Sequence, residues 1–244
     1  MRIVSTIEAR MTSSRLPGKV LLPAADRPML FHLIRRLRAV PSIAEIVLAT
    51  TTNATDDVLV DVARAERIRV FRGSEDDVMT RVIEAAESAR ADVVVEITGD
   101  CPIIDPEIVE LVIRMYVANS AAYVSNNHLR TYPDGMDTQV FALETLKLSA
   151  SMTDDRLDHE HVTLHIRNHP ELFPPIYVVA PPELHWPRIG LTLDEPADYE
   201  LIRRLIEHFE PANPLFGCED VIRLLKSRPE WVDINRSVAR KGDT

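Results

Sequence analysis

The chain has 244 residues, 45% hydrophobic and 27% charged, with a formal net charge of −10. That length and balance describe a soluble globular protein with room for one large α/β unit and a substantial core. The acidic charge excludes nucleic acid as the main partner, because phosphate-backbone binding needs a broad basic face, yet leaves room for a local basic pocket that takes a small anion. No run of 18 apolar residues and no signal-peptide pattern occurs, so the expectation is a cytoplasmic protein without membrane insertion. Cys101 and Cys218 are far apart, without metal or redox spacing, and read as reduced thiols.

Residues 2–7 (RIVSTI) read as a first strand, and residues 8–19 (EARMTSSRLPGK) then carry the composition of an anion cradle. Arg10 and Arg15 offer planar forks of donors and Lys19 a mobile point charge, while Ser13, Ser14 and the amides of a turn add neutral donors. The chain has four lysines against twenty-four arginines, Lys19 is the only lysine before Lys147, and Gly18 is one of seven glycines. Scarce residues gathered straight after a strand point to a polyphosphate. The bland alternative is a solvated loop closed by a Leu16-Pro17-Gly18 turn.

Apolar positions at helical spacing predict a helix over 28–40, with Arg35, Arg36 and Arg38 solvated on its other face. Strands follow at 45–50 and 69–72, with a helix over about 56–66 between them. Ser74, three residues before Asp77, resembles a capping-box start for a helix running to about residue 90. Residues 92–98 (DVVVEIT) form the most apolar strand. Alternation of strands and helices implies a mostly parallel sheet sandwiched by helices, an α/β fold whose ligands bind beyond the carboxyl ends of the strands.

The loop after that strand reads TGDCPIIDPE. Gly99 lets the backbone turn at the strand end, and Asp100 then sits at the edge where the basic loop also lies, either a plain turn residue or a carboxylate able to hold a divalent metal that bridges to phosphate oxygens. Asp105 and Pro106 are read as the cap and first residue of the next helix. Short strands at 122–125 and 137–142 flank YPDGMD, a helix covers 156–168, and further strands fall at 176–179 and 189–193. Asp194 ends the last of these. Taken alone it is a cap for the helix to residue 209, but a second strand-end carboxylate also completes a metal site with Asp100. His161, His165 and His169 recur every four residues like a metal ladder without identifiable further ligands. The last thirty residues, with a short helix near 220–226, look peripheral.

Six blocks in order, EARMTSSRLPGKVL, FRGSEDDV, ITGDCPIIDPE, YPDGMDTQVF, EHVTLHIRNHPELF and LTLDEPADYELI, resemble the spore-coat polysaccharide biosynthesis protein F group of the cytidylyltransferases. The resemblance covers about residues 1–209 and extends to the acylneuraminate and Kdo enzymes. It implies a glycosyltransferase-A-like (nucleotide-diphospho-sugar transferase) fold, a homodimer, CTP as substrate, Mg²⁺ as cofactor, and transfer of CMP to an acidic sugar-like acceptor for surface polysaccharide. It also implies one domain over 1–244, with a nucleotide half at 1–120, an acceptor and dimerisation half at 121–210 and a peripheral segment at 211–244.

By the same resemblance Arg10, Arg15 and Lys19 contact phosphates, the backbone near Ala9 approaches cytosine, and Ser13, Ser14, Arg72, Arg81 and Gly99 form the nucleotide pocket. Asp100 and Asp194 are the metal ligands. Asp134, Asp137, Glu160 and His161 lie where relatives hold the acceptor, the last three being candidates for a general base. Three residues depart from the pattern: Glu8 stands for a common glutamine, Thr12 for glycine and His159 for arginine. Glu8 is expected to point away from the phosphates or to meet the base. The competing readings are another base, a phosphorylated acceptor, or a nucleotide-binding subunit without turnover.

Overall fold

A computed structural model describes residues 1–240. Runs rich in Val, Ile and Thr make the central strands β1 (Ile3–Glu8), β4 (Glu45–Thr51) and β6 (Val93–Thr98). Pro23–Ala24 (β2) and Arg27–Pro28 (β3) form a small antiparallel hairpin. The main sheet adds β5 (Arg69–Gly73), β7 (Tyr123–Ser125), β8 (Gln139–Ala142) and β9 (Pro175–Tyr177), in the order β5-β4-β1-β6-β8-β7-β9. The pairs β4–β5, β1–β4, β1–β6 and β7–β9 are parallel, and β8 runs antiparallel to both β6 and β7. The sheet is therefore mixed and mostly parallel, as expected from the alternating pattern, and strands from both halves of the chain join it.

Side chains alternate across the sheet, so Ile3 and Ile7 of β1 face one layer and Val4 the other. The first layer holds α1 (Met29–Arg38), α2 (Asp57–Ala65), α4 (Pro106–Val117), α8 (Pro196–Phe209) and α9 (Cys218–Ser227). The second is built on α3 (Val78–Ser88), α5 (Leu143–Ala150) and the short α6 (Arg156–Glu160) and α7 (Leu164–Asn168). A last turn of helix, α10 (Pro229–Val232), packs on α9. Cys101 and Cys218 are buried free thiols.

Several local expectations are corrected. Residues 156–168 are two helices, because Val162 takes φ 50 between them, and Val162 and Thr163 turn inward to full burial. That break takes His161 out of the helical row; among the described residues no group of three or more His, Cys, Asp or Glu is placed to hold a metal. Residues 189–193 form no strand but a single bridge, Asp134 to Gly190. Asp77, not Ser74, caps α3, accepting from the Thr80 N–H. Glu195, with Asp198 reaching back, caps α8 and frees Asp194. The sequence reading left α5 without an element, its cap position being an alanine.

Arg36 is not solvated. It is 1% exposed, lies 4.1 Å over the Phe216 ring and donates to the Ile104 and Phe216 carbonyls, so burial pulls its guanidinium down to about 10. The C-terminal segment is likewise no fringe. Asp198, fully buried, accepts from Arg240 and Asn235 at 2.8 Å each and from the N–H groups of Asp194 and Glu195.

Candidate active site

The loop after β1 is held from below. Asp56, fully buried, accepts from both hydroxyls of Thr50 and Thr51 and from the Met11 N–H at 2.8 Å, so β4 and α2 fix where the loop leaves the sheet. Gly18, at φ 69, donates to the Met11 carbonyl and closes the loop, an αL turn that suits a residue without Cβ. A one-turn 3₁₀ segment then starts at Lys19 and points its side chain back to the sheet edge.

There it meets the loop after β6. Gly99 donates to the Glu8 carbonyl, and a Cβ on it would stand 2.8 Å from that oxygen, so only glycine brings the two loops this close. Asp100 follows directly. Its carbonyl accepts from the Leu193 N–H at 2.8 Å, which clasps the extended 189–193 segment against the β6 loop and places Asp194 beside Asp100.

The Lys19 ammonium sits between the two carboxylates, 2.8 Å from Asp100 Oδ2 and 3.0 Å from Asp194 Oδ1. Arg15 reaches the other oxygen of Asp194 at 2.9 Å. Burial would push the Asp100 carboxyl up, but the Lys19 charge and hydrogen bond hold it below the ordinary range. Burial would lower Lys19, and the two aspartates together raise it. Arg10 points outward to Glu75 at 3.3 Å, and Glu75 also takes hydrogen bonds from Thr12 and Asn53.

These groups border a cleft of about 370 Å³. Ala9, Arg10, Ser13, Ser14, Arg15, Lys19, Arg81, Gly99, Asp100, Asp194, Glu160 and His161 all line it. Three expected residues do not. Arg72 donates to the Thr51 and Asn53 carbonyls and pairs with Asp57 at 2.7 Å, bracing the turn after β4. Asp134 and Asp137 line a small separate cavity with Arg130 and Tyr132, where burial and Asp134 raise Asp137 to about 7.

The sequence reading passed over part of the cleft floor. Glu96 on β6 lines it with Glu8 and with Gln139 on β8. Burial, then the neighbouring Glu96, holds Glu8 well above the ordinary carboxyl range. Burial also raises Glu96, to about 7, with Arg167 opposing and Asp137 reinforcing the shift. A glutamate inside DVVVEIT, a run otherwise made to be buried, was the available signal.

A cytidylyltransferase family model matches residues 4–219. The chain belongs to the cytidylyltransferase family. This cytidylyltransferase is 33% identical to the spore coat polysaccharide biosynthesis protein SpsF of Bacillus subtilis, over 93% of this chain and 95% of that one. It is also 33% identical to the uncharacterized protein MJ1063 of Methanocaldococcus jannaschii, over 99% and 97%. It is 30% identical to a 3-deoxy-manno-octulosonate cytidylyltransferase of Geobacter sulfurreducens, over 59% and 58%. Among solved structures, a cytidylyltransferase from Leptospira borgpetersenii superposes with a TM-score of 0.91 at 30% identity, covering 98% and 100%. A CMP:2-keto-3-deoxy-manno-octonic acid synthetase complexed with CTP, 19% identical with a TM-score of 0.64 over 85% and 99%, supports the nucleotide-sugar transferase fold. Family and fold together make this cytidylyltransferase a nucleotidyltransferase, and no described helix is long and apolar enough to cross a membrane.

Proposed function

We propose that this cytidylyltransferase transfers CMP from CTP to an acidic sugar or sugar-like acceptor, releasing pyrophosphate, with Mg²⁺ as cofactor and surface polysaccharide as the destination. The observation that carries the reading is the convergence of Arg15 and Lys19 on the Asp100–Asp194 pair at the carboxyl edge of the sheet. A binding-only module has no use for two carboxylates aimed at a phosphate cradle.

Asp100 and Asp194 fit a hard divalent cation: they are oxygen donors drawn to one cationic centre, and Mg²⁺ takes one or two carboxylates with waters and substrate phosphates. When bound there, Mg²⁺ supplies charge neutralisation at the phosphates and lowers the acceptor's pKa. Arg10, Arg15, Lys19, Ser13 and Ser14 hold the triphosphate, and the two arginines and Lys19 stabilise the charge that develops on departing pyrophosphate. The acceptor oxygen attacks the α-phosphorus in line, so the residues act by positioning and charge, with no covalent protein intermediate. Ala9 and Gly99 border the nucleoside, and Arg81 lines the same cleft. Glu160 and His161, on the α6 end that lines the cleft, stand ready to take the acceptor proton.

In this reading residues 1–120 hold the nucleotide and 121–210 the acceptor within one nucleotidyltransferase domain over 1–244. The protein works in the cytoplasm as a homodimer joined through the second half, where Leu148, Met152 and Leu157 are exposed. Pyrophosphate release with CTP, Mg²⁺ and a panel of sugar acids is the test. Turnover with CTP supports the reading. Greater thermal stabilisation by ATP or UTP than by CTP overturns the base assignment.

A further inference from the structure

The cleft floor carries charge that CMP transfer does not use. Glu96 is in register with Thr6 on β1, so Glu8, two residues on, projects from the same sheet face, and Gln139 of β8 lies opposite Glu96 on that face. Both Glu8 carboxyl oxygens are buried without a well-formed hydrogen bond, although Thr6 and Glu96 lie beside them. Gln139 is fixed in orientation: its Nε2 donates to Glu96, while its Oε1 accepts from the Tyr123 and Thr163 hydroxyls. Its amide therefore serves Glu96 and not Glu8, whose neighbours are Thr6, Glu96 and the Arg81 charge.

Two cations border the same space. Arg81 on α3 and Arg167 on α7 both line the cleft, and each has a buried Nε without a partner. Arg81 acts on Glu8 and Arg167 on Glu96, while Asp137 adds negative charge near Glu96 and Arg10 adds positive charge near Arg81. A purely anionic acceptor would satisfy the arginines and face two carboxyls with its own charge. A neutral one would leave the Glu8 oxygens and the Nε groups of Arg81 and Arg167 without new partners in a desolvated space, although Gln139 serves Glu96 and the Ser74 carbonyl accepts from Arg81. A ligand with one group of each sign meets all of them.

On the cytidylyl-transfer reading, which it deepens by extending the acceptor site onto the cleft floor contributed by the first half of the chain, we propose that the acceptor carries an ammonium group seated at Glu8 and Glu96 beside an anionic group held by Arg81 and Arg167. The three N–H donors of an ammonium match the acceptors of two carboxylates. The ammonium keeps its protons, and its charge favours the ionised form of Glu8, whose carboxyl burial otherwise raises, so binding releases protons and does not take them up.

The experiment uses the full chain loaded with CTP and Mg²⁺. The probes are 3-deoxy-manno-octulosonate, a set of analogues with one hydroxyl replaced by an amine at each position in turn, and the N-acetylated form of each amine. Binding is read by calorimetry in buffers of different ionisation enthalpy, and turnover by pyrophosphate release. At least one amine should exceed its hydroxyl and N-acetyl counterparts by more than about tenfold in kcat/KM, with net proton release. Glu8→Gln should bring that preference to within about twofold while CTP affinity stays unchanged. Glu96→Gln serves as the second variant, and melting curves show that each is folded.

Equal or better turnover of hydroxyl or N-acetyl compounds overturns the inference, as does failure of every amine to bind the CTP-loaded protein. A matching loss of CTP affinity in Glu8→Gln also overturns it, by placing the pair at the base. CTP failing to bind the unaltered protein is scored in its own titration and removes the underlying reading as well.

Discussion

Lys19→Met tests how the two strand-end aspartates are kept together. Methionine preserves much of the aliphatic stem and removes the charge, leaving Asp100 and Asp194 facing each other in a partly buried site. At contacts of 2.8 and 3.0 Å and an effective dielectric near 20, each attraction is roughly 6 kcal/mol before desolvation is subtracted. Removing one partner of a buried pair costs about 3–5 kcal/mol, and the side chains here retain 11–24% exposure, so a loss of about 3 kcal/mol at pH 7.5 is expected. The sign of the pH dependence is the sharper check. In the parent protein Asp100 is held below its unfolded pKa, so its contribution is present above that value and is lost as pH falls through the folded one. Without Lys19 burial is left to raise the Asp100 carboxyl, and the deficit should shrink toward pH 4.5. Urea unfolding followed by Trp186 and Trp231 fluorescence measures both. A deficit under about 1 kcal/mol, or one unchanged across that pH range, would refute the argument, since typical point-mutant losses are of that size without any charge effect. In the same assay Mg²⁺ should stabilise Lys19→Met more than the parent, because the ammonium no longer competes for the carboxylates.

Asp56→Asn should cost about 2 kcal/mol and loosen the loop after β1, seen as weaker triphosphate affinity, because Met11, Thr50 and Thr51 all lean on that carboxylate. Gly99→Ala forces a Cβ to 2.8 Å from the Glu8 carbonyl; a loss of about 1–3 kcal/mol in denaturant titration and a rise in KM for CTP are expected. Burial raises Glu96 from 4.5 to about 7, so between those values the unfolded chain has lost a proton the folded one keeps, and stability falls as pH rises through the window. Glu96→Gln should flatten that slope in part, Asp137 and Glu8, both raised by burial, supplying a remainder of the same sign. Arg240→Ala removes the ion partner of fully buried Asp198, and a loss of about 2–4 kcal/mol should appear together with reduced turnover, since Asp198 also holds the Asp194 N–H.

The central strands were legible because β1, β4 and β6 are runs rich in Val, Ile and Thr between turn residues, and the loop after β1 stood out because lysine and glycine are scarce elsewhere. β7 to β9, only three or four residues each, fall within two residues of the short strands expected at 122–125, 137–142 and 176–179. The break at Val162 had no local signal, since valine is among the residues least suited to positive φ, and burial against Gln139 and the second core layer imposes it. Arg36 was misread because helical spacing places it on the polar face, whereas a C-terminal aromatic ring 180 residues away covers it. Asp56 escaped notice for a similar reason: it caps no helix with its side chain and acts on a loop 45 residues earlier. Long-range partners of this kind leave no spacing in the chain.

The clasp between Leu193 and Asp100 also bears on the order of folding. Lys19 reaches Asp100 across 81 residues and Asp194 across 175, and that last contact waits for the 189–193 segment to dock on the β6 loop. Contacts of such separation close late, after local helices and the parallel strands of the first half have formed. Activity regained during refolding should therefore trail the recovery of helical circular dichroism, and the Lys19–Asp100–Asp194 cluster becomes a clock that strikes only when the most distant parts of the chain have met.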